Sequence, residues 1–276
     1  MKSVIADSGS TKTDWLFSDG RRVRTQGINP VHQSDGDIEA VLRDRLLPLA
    51  GGGIDRVAFY GAGCTAGRAE RVRRLIAAVS GIDATNVTVG SDLLCAARAL
   101  FGSGEGIACI LGTGSNSCLY VSGEIKANIP PLGYILGDEG SGAALGRLFL
   151  NALYKGRLRK ETCELFAAWS GLTYEDVINK VYREPAANRF LASLSPFVAD
   201  NIDADASLRR IVADNFRAFF RNNVERYSGY RMLDVGFVGS IAWHYRDMLT
   251  AVARDEDCTV SGILRSPLDG FIEFPQ

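Results

Sequence analysis

Two aspartates in this sequence stand where apolar runs give out, and their surroundings suggest what they could do. Asp7 closes the run Val4-Ile-Ala6 and leads into Ser8-Gly-Ser-Thr11. Asp92 follows the run Thr85–Val89 and Gly90-Ser91, and it opens an alanine-rich segment. In α/β folds ligands collect at the carboxyl ends of strands. A carboxylate beside a phosphate-sized turn suits a magnesium ion held through water. Lys12 could reach a phosphate or point to solvent. Asp92 reads equally as a helix N-cap and as a general base at a strand end, and the two roles are compatible.

A second glycine turn, Ile110-Leu-Gly-Thr-Gly-Ser-Asn-Ser117, can be aligned without a gap to Ile5-Ala-Asp-Ser-Gly-Ser-Thr-Lys12. Gly9 then falls on Gly114 and Ser10 on Ser115. Hydroxyls and clustered backbone N–H groups suit an anion such as a polyphosphate. One such turn alone is an ordinary hairpin. Two of them, each between apolar strands, imply two related half-folds that each offer a turn to a shared cleft.

Other motifs carry two readings each. Gly137-Asp-Glu-Gly140 is a capped solvent loop or a sugar-binding acid pair. Asn29-Pro30 is a turn, and Gly236-Phe-Val-Gly-Ser240 is a tight strand-to-helix turn or a backbone surface for a nucleotide. Gly61-Ala-Gly-Cys-Thr-Ala66 matches G-x-G-x-x-A, but Asp83 precedes the next strand instead of ending it, so a plain strand-to-helix turn is expected there. The first turn is not a P-loop, because Thr11 and not glycine precedes Lys12.

The elements that must position these residues begin with a meander, Ser3–Ala6, Asp14–Phe17 and Val23–Gln26, whose Ser18-Asp-Gly20 turn is a hairpin signal. A helix over about 37–50 is followed by a strand 56–60, a helix 68–79, a strand 85–89 and a helix 92–100, a pattern of helices covering a mixed sheet. Phe101-Gly-Ser-Gly-Glu-Gly106 is the expected boundary, giving domains 1–103 and 104–276. The second half starts again with strands 107–111, 116–121 and 124–128. Helical patterns follow near 143–155, 160–169, 174–182, 187–199 and 207–228. A strand 233–238, a helix 241–253 and a last strand 258–260 complete the chain.

Bulk properties exclude several classes. The 276 residues are 46% apolar, enough for real cores, and carry a net charge of -1 from 31 basic and 32 acidic side chains, which gives no electrostatic case for nucleic acid or membrane. The six cysteines form no close C-x-x-C pair and mostly lie in apolar runs, which fits a reducing compartment. His32 and His244 are too few and too far apart for a zinc site. A first strand at Ser3 leaves no room for a signal peptide or a DNA-binding segment, and no apolar run could span a bilayer. A cytoplasmic protein is expected.

Taken in order, Asp7-Ser-Gly-Ser-Thr11, Asn29-Pro30, Asp92, Gly112-Thr-Gly-Ser-Asn116, Gly137-Asp-Glu-Gly140, Val238-Gly-Ser240 and the tail Ser266-Pro-Leu-Asp-Gly270 resemble the N-acetylglucosamine kinase family, within the BadF/BadG/BcrA/BcrD group of the actin-like ATPase superfamily. The resemblance runs almost end to end. It implies an α/β, two-domain actin-like ATPase (ribonuclease H-like) fold of the hexokinase type, with ATP and sugar in the cleft between the domains. It puts Asp7 beside a water-held Mg2+. Ser10, Thr11 and Lys12 would lie in the first phosphate loop, Gly112 and Thr113 in the second, and Gly239 and Ser240 on the adenosine side. Asn29, Ser115, Asn116 and Asp138 would be sugar ligands with Gly133 in the loop beside them, and Asp92 the base next to the sugar's primary hydroxyl.

The activity so implied is transfer of the γ-phosphoryl group of MgATP to the primary (C6) hydroxyl of an N-acetylhexosamine, N-acetylglucosamine first. N-acetylmuramate, glucosamine and N-acetylmannosamine offer the same hydroxyl. The family's dimers make a homodimer the partner to test for. The chain is short beside eukaryotic members, and the cysteine-rich zinc signature of the related repressor/kinase group is absent. Two competing readings are an ATPase activase of a CoA-dehydratase system, which would need cysteines at an iron–sulfur site, and a non-catalytic sugar sensor, against which the intact Asp7, Asp92 and both loops speak.

Overall fold

The structure, a computed structural model, describes residues 2–9 and 12–271. The chain divides into two compact units, one running up to Ala99 and taking back the segment from Pro267, the other spanning Leu100–Ser266.

In the first unit β1 (Ser3–Ser8), β2 (Lys12–Phe17) and β3 (Arg22–Gln26) form an antiparallel meander. Ser34 opens α1 (Asp35–Val41) with a capping box closed by Asp37, and the helix continues through a π-helical turn, Leu42–Leu46, into α2 (Leu47–Ala50). β4 (Arg56–Gly61) lies parallel to β1, and α3 (Ala66–Ser80) leads to β5 (Val87–Ser91), parallel to β4, and to α4 (Asp92–Phe101). The sheet order is β3-β2-β1-β4-β5.

Both faces of that sheet are covered, which is why Val4, Ile5 and Ala6 are all buried instead of alternating. One face packs Trp15, Phe17 and Phe59 with Ile38, Leu42 and Ile76 of the helices. The other packs Ile5, Leu16, Ala58 and Tyr60 with Cys95 of α4 and with Leu268. The tail from Pro267, expected in the second domain, therefore belongs to the first. Leu268 fills that face, and Arg22 Nη1 bonds Asp269 Oδ1 at 2.5 Å.

The second unit repeats the plan. β6 (Glu105–Leu111), β7 (Ser115–Val121) and β8 (Glu124–Ile129) form the meander. A helical insertion follows: α5 (Gly133–Leu136), α6 (Gly142–Tyr154), α7 (Lys160–Ser170), α8 (Tyr174–Tyr182), α9 (Ala187–Ala192), α10 (Ser195–Asn201) and α11 (Ala206–Asn222). Then come β9 (Asp234–Val238), α12 (Ser240–His244), α13 (Arg246–Asp255) and β10 (Thr259–Leu264). The order β10-β9-β6-β7-β8 is that of the first sheet, with a meander on one side and two parallel strands on the other. The core is one aromatic-rich cluster that includes Phe149, Phe197, Phe216, Phe219, Phe220 and Phe237.

The helix expected over 187–199 is two helices, because Pro196 cannot continue α9 and instead sits in the first turn of α10. The division between units falls inside α4, ahead of the glycine-rich segment 101–106. That segment is packed: Phe101 stacks on Tyr120 with ring centroids 6.4 Å apart, over Gly106, where a Cβ would meet the Phe101 ring at 2.4 Å. No helix among the described residues is long and apolar enough to cross a membrane.

Candidate active site

In the first unit the site begins with the end of β1. Asp7 lies opposite Asp14 on β2 and Tyr60 on β4. Burial, then the negative charges of Asp92 and Asp14, push the Asp7 carboxyl up to about 7, with Lys12 offsetting part of the rise. Asp92 is also raised, by burial, although the N–H groups of Leu93 and of Asp92 itself favour its charged form. Asp14 behaves in the opposite way. Burial would raise it, but hydrogen bonds from Arg24 Nε at 2.6 Å and Lys12 Nζ at 2.9 Å hold it below the usual range.

The cap of α4 is Ser91 and not Asp92. Ser91 Oγ accepts the N–H of Leu94 at 3.1 Å, while Asp92 Oδ1 takes the N–H of Leu93 at 2.9 Å, one residue too near to cap the turn. Capping by Ser91 leaves the Asp92 carboxylate with no donor beyond its own N–H and that of Leu93 among the described residues, which separates the two roles that the sequence leaves combined. Among those residues no basic side chain bonds Asp7 or Asp92. Two oxygen-only groups whose charge is opposed by burial and by each other suit a divalent cation. Among the described residues no cluster of three metal-ligating side chains is present, so an ion there would be largely water-ligated, as Mg2+ prefers.

Asn29 is buried next to this strand end. Ser8 Oγ donates to the Ile28 carbonyl at 2.9 Å and accepts its N–H at 3.0 Å, which ties the Ile28-Asn29 turn to β1. Asn29 Oδ1 accepts the N–H of Val31 at 3.0 Å, and Gly63 passes so close that a Cβ there would lie 2.8 Å from Asn29 Oδ1. Gly61-Ala-Gly63 is thus the tight strand-to-helix turn expected. Ser10 and Thr11 lie outside the described residues. Lys12 is the first residue of β2, not part of a loop, and its ammonium rests on Asp14.

In the second unit the β6–β7 hairpin is pinned by α6. Gly142 N donates to the Gly112 carbonyl at 2.8 Å, Ala143 N to the Thr113 carbonyl at 3.1 Å, and Gly112 N to the Gly114 carbonyl at 2.9 Å. The carbonyls are consumed inward. The N–H groups of Thr113 and Gly114 have no protein acceptor among the described residues, an arrangement that binds anions. Gly9 N likewise bonds back to the Lys12 carbonyl at 2.9 Å. The glycine directly after β1 therefore corresponds to Gly112, which directly follows β6. The gapless alignment that sets Gly9 on Gly114 is displaced, because the second loop is a residue shorter: the last paired residues are Ser8 with Thr13 and Leu111 with Ser115.

Asp138 is buried, with a left-handed backbone at φ 54°, and its Oδ1 accepts the N–H of Ser115 at 3.2 Å. Burial raises its carboxyl, the Ser115 bond opposes this, and the Glu139 charge adds to the rise. Gly114 packs tightly here, since a Cβ would come 3.0 Å from Asp138 Oδ2 and the carboxylate would have to give way. Asn116 Oδ1 accepts the N–H of Ser117 at 2.9 Å. Gly133 opens α5, an element with no signal in the sequence reading, in which Ile135 and Leu136 are exposed. Gly239 has φ 125°, and a Cβ would fall 2.3 Å from the Leu111 carbonyl oxygen.

Gly112, Thr113, Ser240 and Ile241 line one side of a pocket of about 240 Å3, and Arg189, Ala192, Ser193 and Ser195 line the other. The latter four escaped sequence reasoning because nothing in an interrupted helical stretch marks them as more than a solvent face. Gly112, Thr113 and Ser240, far apart in the chain, come together here, with Gly239 immediately before Ser240. Ser115, Asn116 and Asp138 gather at the start of β7.

Two sheets of the same strand order, each with a glycine hairpin between its first two strands, define an actin-like ATPase fold of the kind found in hexokinases. The chain is 46% identical, over 98% of its own length and 96% of the other's, to a provisionally designated N-acetylglucosamine kinase from Porphyromonas gingivalis, with a TM-score of 0.90. A second protein of the same provisional designation, from Chromobacterium violaceum, is 18% identical with a TM-score of 0.72. A ROK family glucokinase from Streptomyces griseus, solved with glucose and AMPPNP, shares the fold at 14% identity and a TM-score of 0.55. No protein-family model and no curated protein matches the chain. The protein belongs to the N-acetylglucosamine kinase-like family.

Proposed function

We propose that the protein is an ATP-dependent amino-sugar kinase that transfers the γ-phosphoryl group of MgATP to the primary hydroxyl of an N-acetylhexosamine, N-acetylglucosamine first. The observation that carries this reading is the pair of unneutralised carboxylates at the ends of β1 and β5, Asp7 and Asp92. Phosphoryl transfer asks for positioning and charge neutralisation more than covalent chemistry.

In this reading Asp7 holds Mg2+ through water, and the bound ion neutralises phosphate charge. Thr113 and Gly114 offer free N–H groups to phosphate oxygens, with Gly112 setting the turn. Ser10 and Thr11 serve the first phosphate loop, and Lys12, at the start of β2, reaches phosphate by exchanging Asp14 for it. Gly239 and Ser240 face the adenosine, and the pocket that Ser240 lines is smaller than the roughly 300–1,000 Å3 of whole-ligand sites, in keeping with one end of a nucleotide. Asn29, Ser115, Asn116 and Asp138 hold the sugar beside Gly133. Asp92, whose raised carboxyl is suited to accepting a proton, takes that of the primary hydroxyl late in the step.

The family relative's designation supports the amino sugar, and the bound glucose and AMPPNP of the glucokinase support the substrate pair. The test is Asp92→Asn. Turnover falls at least about a hundredfold while sugar binding, followed by calorimetry, stays within a few-fold. Wild-type-like turnover would remove Asp92 from the base role. A homodimer in solution is part of the same proposal and is read by light scattering.

A further inference from the structure

Asn116 and Asn128 meet diagonally across the β7–β8 pair, in which Asn128 lies opposite Cys118, and backbone groups fix which way each carboxamide points. The Ser117 N–H can only donate, so the Asn116 atom it meets at 2.9 Å is the oxygen. The Ser117 carbonyl can only accept, so the Asn128 atom it meets at 2.6 Å is the nitrogen. The second hydrogen of that nitrogen goes to Asn116 Oδ1 at 2.8 Å. Neither side chain can flip without setting like against like.

Asn116 Oδ1 is thereby doubly satisfied, by Ser117 N and Asn128 Nδ2. Its Nδ2 carries two donors with no protein acceptor among the described residues. Ser115, the neighbouring residue on β7, anchors Asp138 Oδ1, and an ionised carboxylate only accepts. The end of β8 is itself held down. Tyr227 Oη accepts the Ile129 N–H at 3.1 Å and lies 2.8 Å from Ser117 Oγ. Asn128 is exposed on the edge strand, so the side chain is not needed to fill a core.

We propose that Asn128 is a positioning residue for substrate recognition. Together with the Ser117 N–H it occupies the Asn116 oxygen and holds Asn116 to donating, so that this site reads a ligand oxygen acceptor next to the hydroxyl donor read by Asp138. The inference rests on the sugar-kinase reading above. It adds a polarity to the site: an oxygen that accepts beside a hydroxyl that donates, as neighbouring hydroxyls of a pyranose provide. Replacing Asn128 by Asp removes both donors and turns acceptors toward Asn116 Oδ1 and the Ser117 carbonyl, which leaves only the Ser117 N–H to hold the Asn116 oxygen against a repelling carboxylate.

The test compares wild type, Asn128→Asp, Asn128→Ser, Asn116→Ala and the double variant Asn128→Asp/Asn116→Ala, using N-acetylglucosamine and MgATP with melting curves as a folding control. The expected result is a rise of about three- to tenfold in sugar KM for Asn128→Asp, the worth of one hydrogen bond. The ATP KM stays unchanged, Asn128→Ser with its single donor recovers part of the loss, and Asn128→Asp adds no further rise once Asn116 is alanine. A wild-type sugar KM in Asn128→Asp, or an equal rise in the Asn116→Ala background, overturns the proposal while leaving the kinase reading intact. If the wild-type protein neither binds nor phosphorylates any amino sugar or hexose, the kinase reading itself has failed.

Discussion

Replacing Asp7 by Asn should stabilise the metal-free protein, and more so as the pH rises. The Asp7 carboxyl is moved from 3.8 to about 7 by burial and by the charges of Asp92 and Asp14. An acid whose pKa is raised in the folded state holds its proton more tightly there than in the unfolded chain. Stability is therefore lost as the pH climbs from about 4 to about 7, and the penalty is complete above that. At about 1.4 kcal/mol per unit the shift sets a ceiling of about 4 kcal/mol. Asp7 is only half-buried on its strand end, so solvent screening brings the figure nearer to about 2 kcal/mol.

The assay is unfolding of chelator-treated wild type and Asp7→Asn from pH 5 to pH 8. The variant should gain on the wild type by about 1–2 kcal/mol across that range. Adding Mg2+ with ADP should restore the wild type and not the variant. Parallel pH profiles, or a variant less stable than wild type at pH 8, would refute the claim that Asp7 is held charged against its surroundings.

Two further substitutions test how the backbone carries the site. Gly239→Ala would set a Cβ 2.3 Å from the Leu111 carbonyl oxygen in a backbone at φ 125°, and should cost at least about 2 kcal/mol in urea unfolding; an unchanged midpoint would contradict the close approach. Ser91→Ala removes the cap of α4 and should cost about 1 kcal/mol. It should also lower kcat, because the Leu94 N–H then competes for the Asp92 carboxylate, and loss of stability with kcat intact would separate the cap from the chemistry.

Much of the fold was legible because its signals are local. The alternation and the Ser18-Asp-Gly20 turn mark the first meander, and the recurrence of a meander after residue 106 marks the duplication that the two equal strand orders display. What was not legible depended on long-range contacts. The tail at Leu268 carries no periodicity, and only the apolar face formed by Ile5, Leu16 and Tyr60 explains its place. Side-chain likeness sets Gly9 on Gly114, whereas the turn hydrogen bonds match it to Gly112. Asp92 reads as cap or base from its neighbours, and only the Ser91–Leu94 bond assigns the capping elsewhere. Asn128 looks like any polar residue on an edge strand until its partners across the pair are known. Arg189, Ser193 and Ser195 line the same pocket as Gly112 through the tertiary packing of α9 and the start of α10, which no spacing encodes.

The account stands or falls on one assay, release of ADP from MgATP in the presence of a panel of N-acetylhexosamines, amino sugars and hexoses, with the phosphorylated product located by NMR. The expected result is sugar-dependent ADP release, strongest with N-acetylglucosamine and with the phosphate on the primary hydroxyl, abolished in Asp92→Asn. Sugar binding with no ADP release would make the protein a sensor, and ADP release independent of any sugar would make it an ATPase of another kind. Either outcome would contradict the phosphoryl transfer proposed for Asp7 and Asp92.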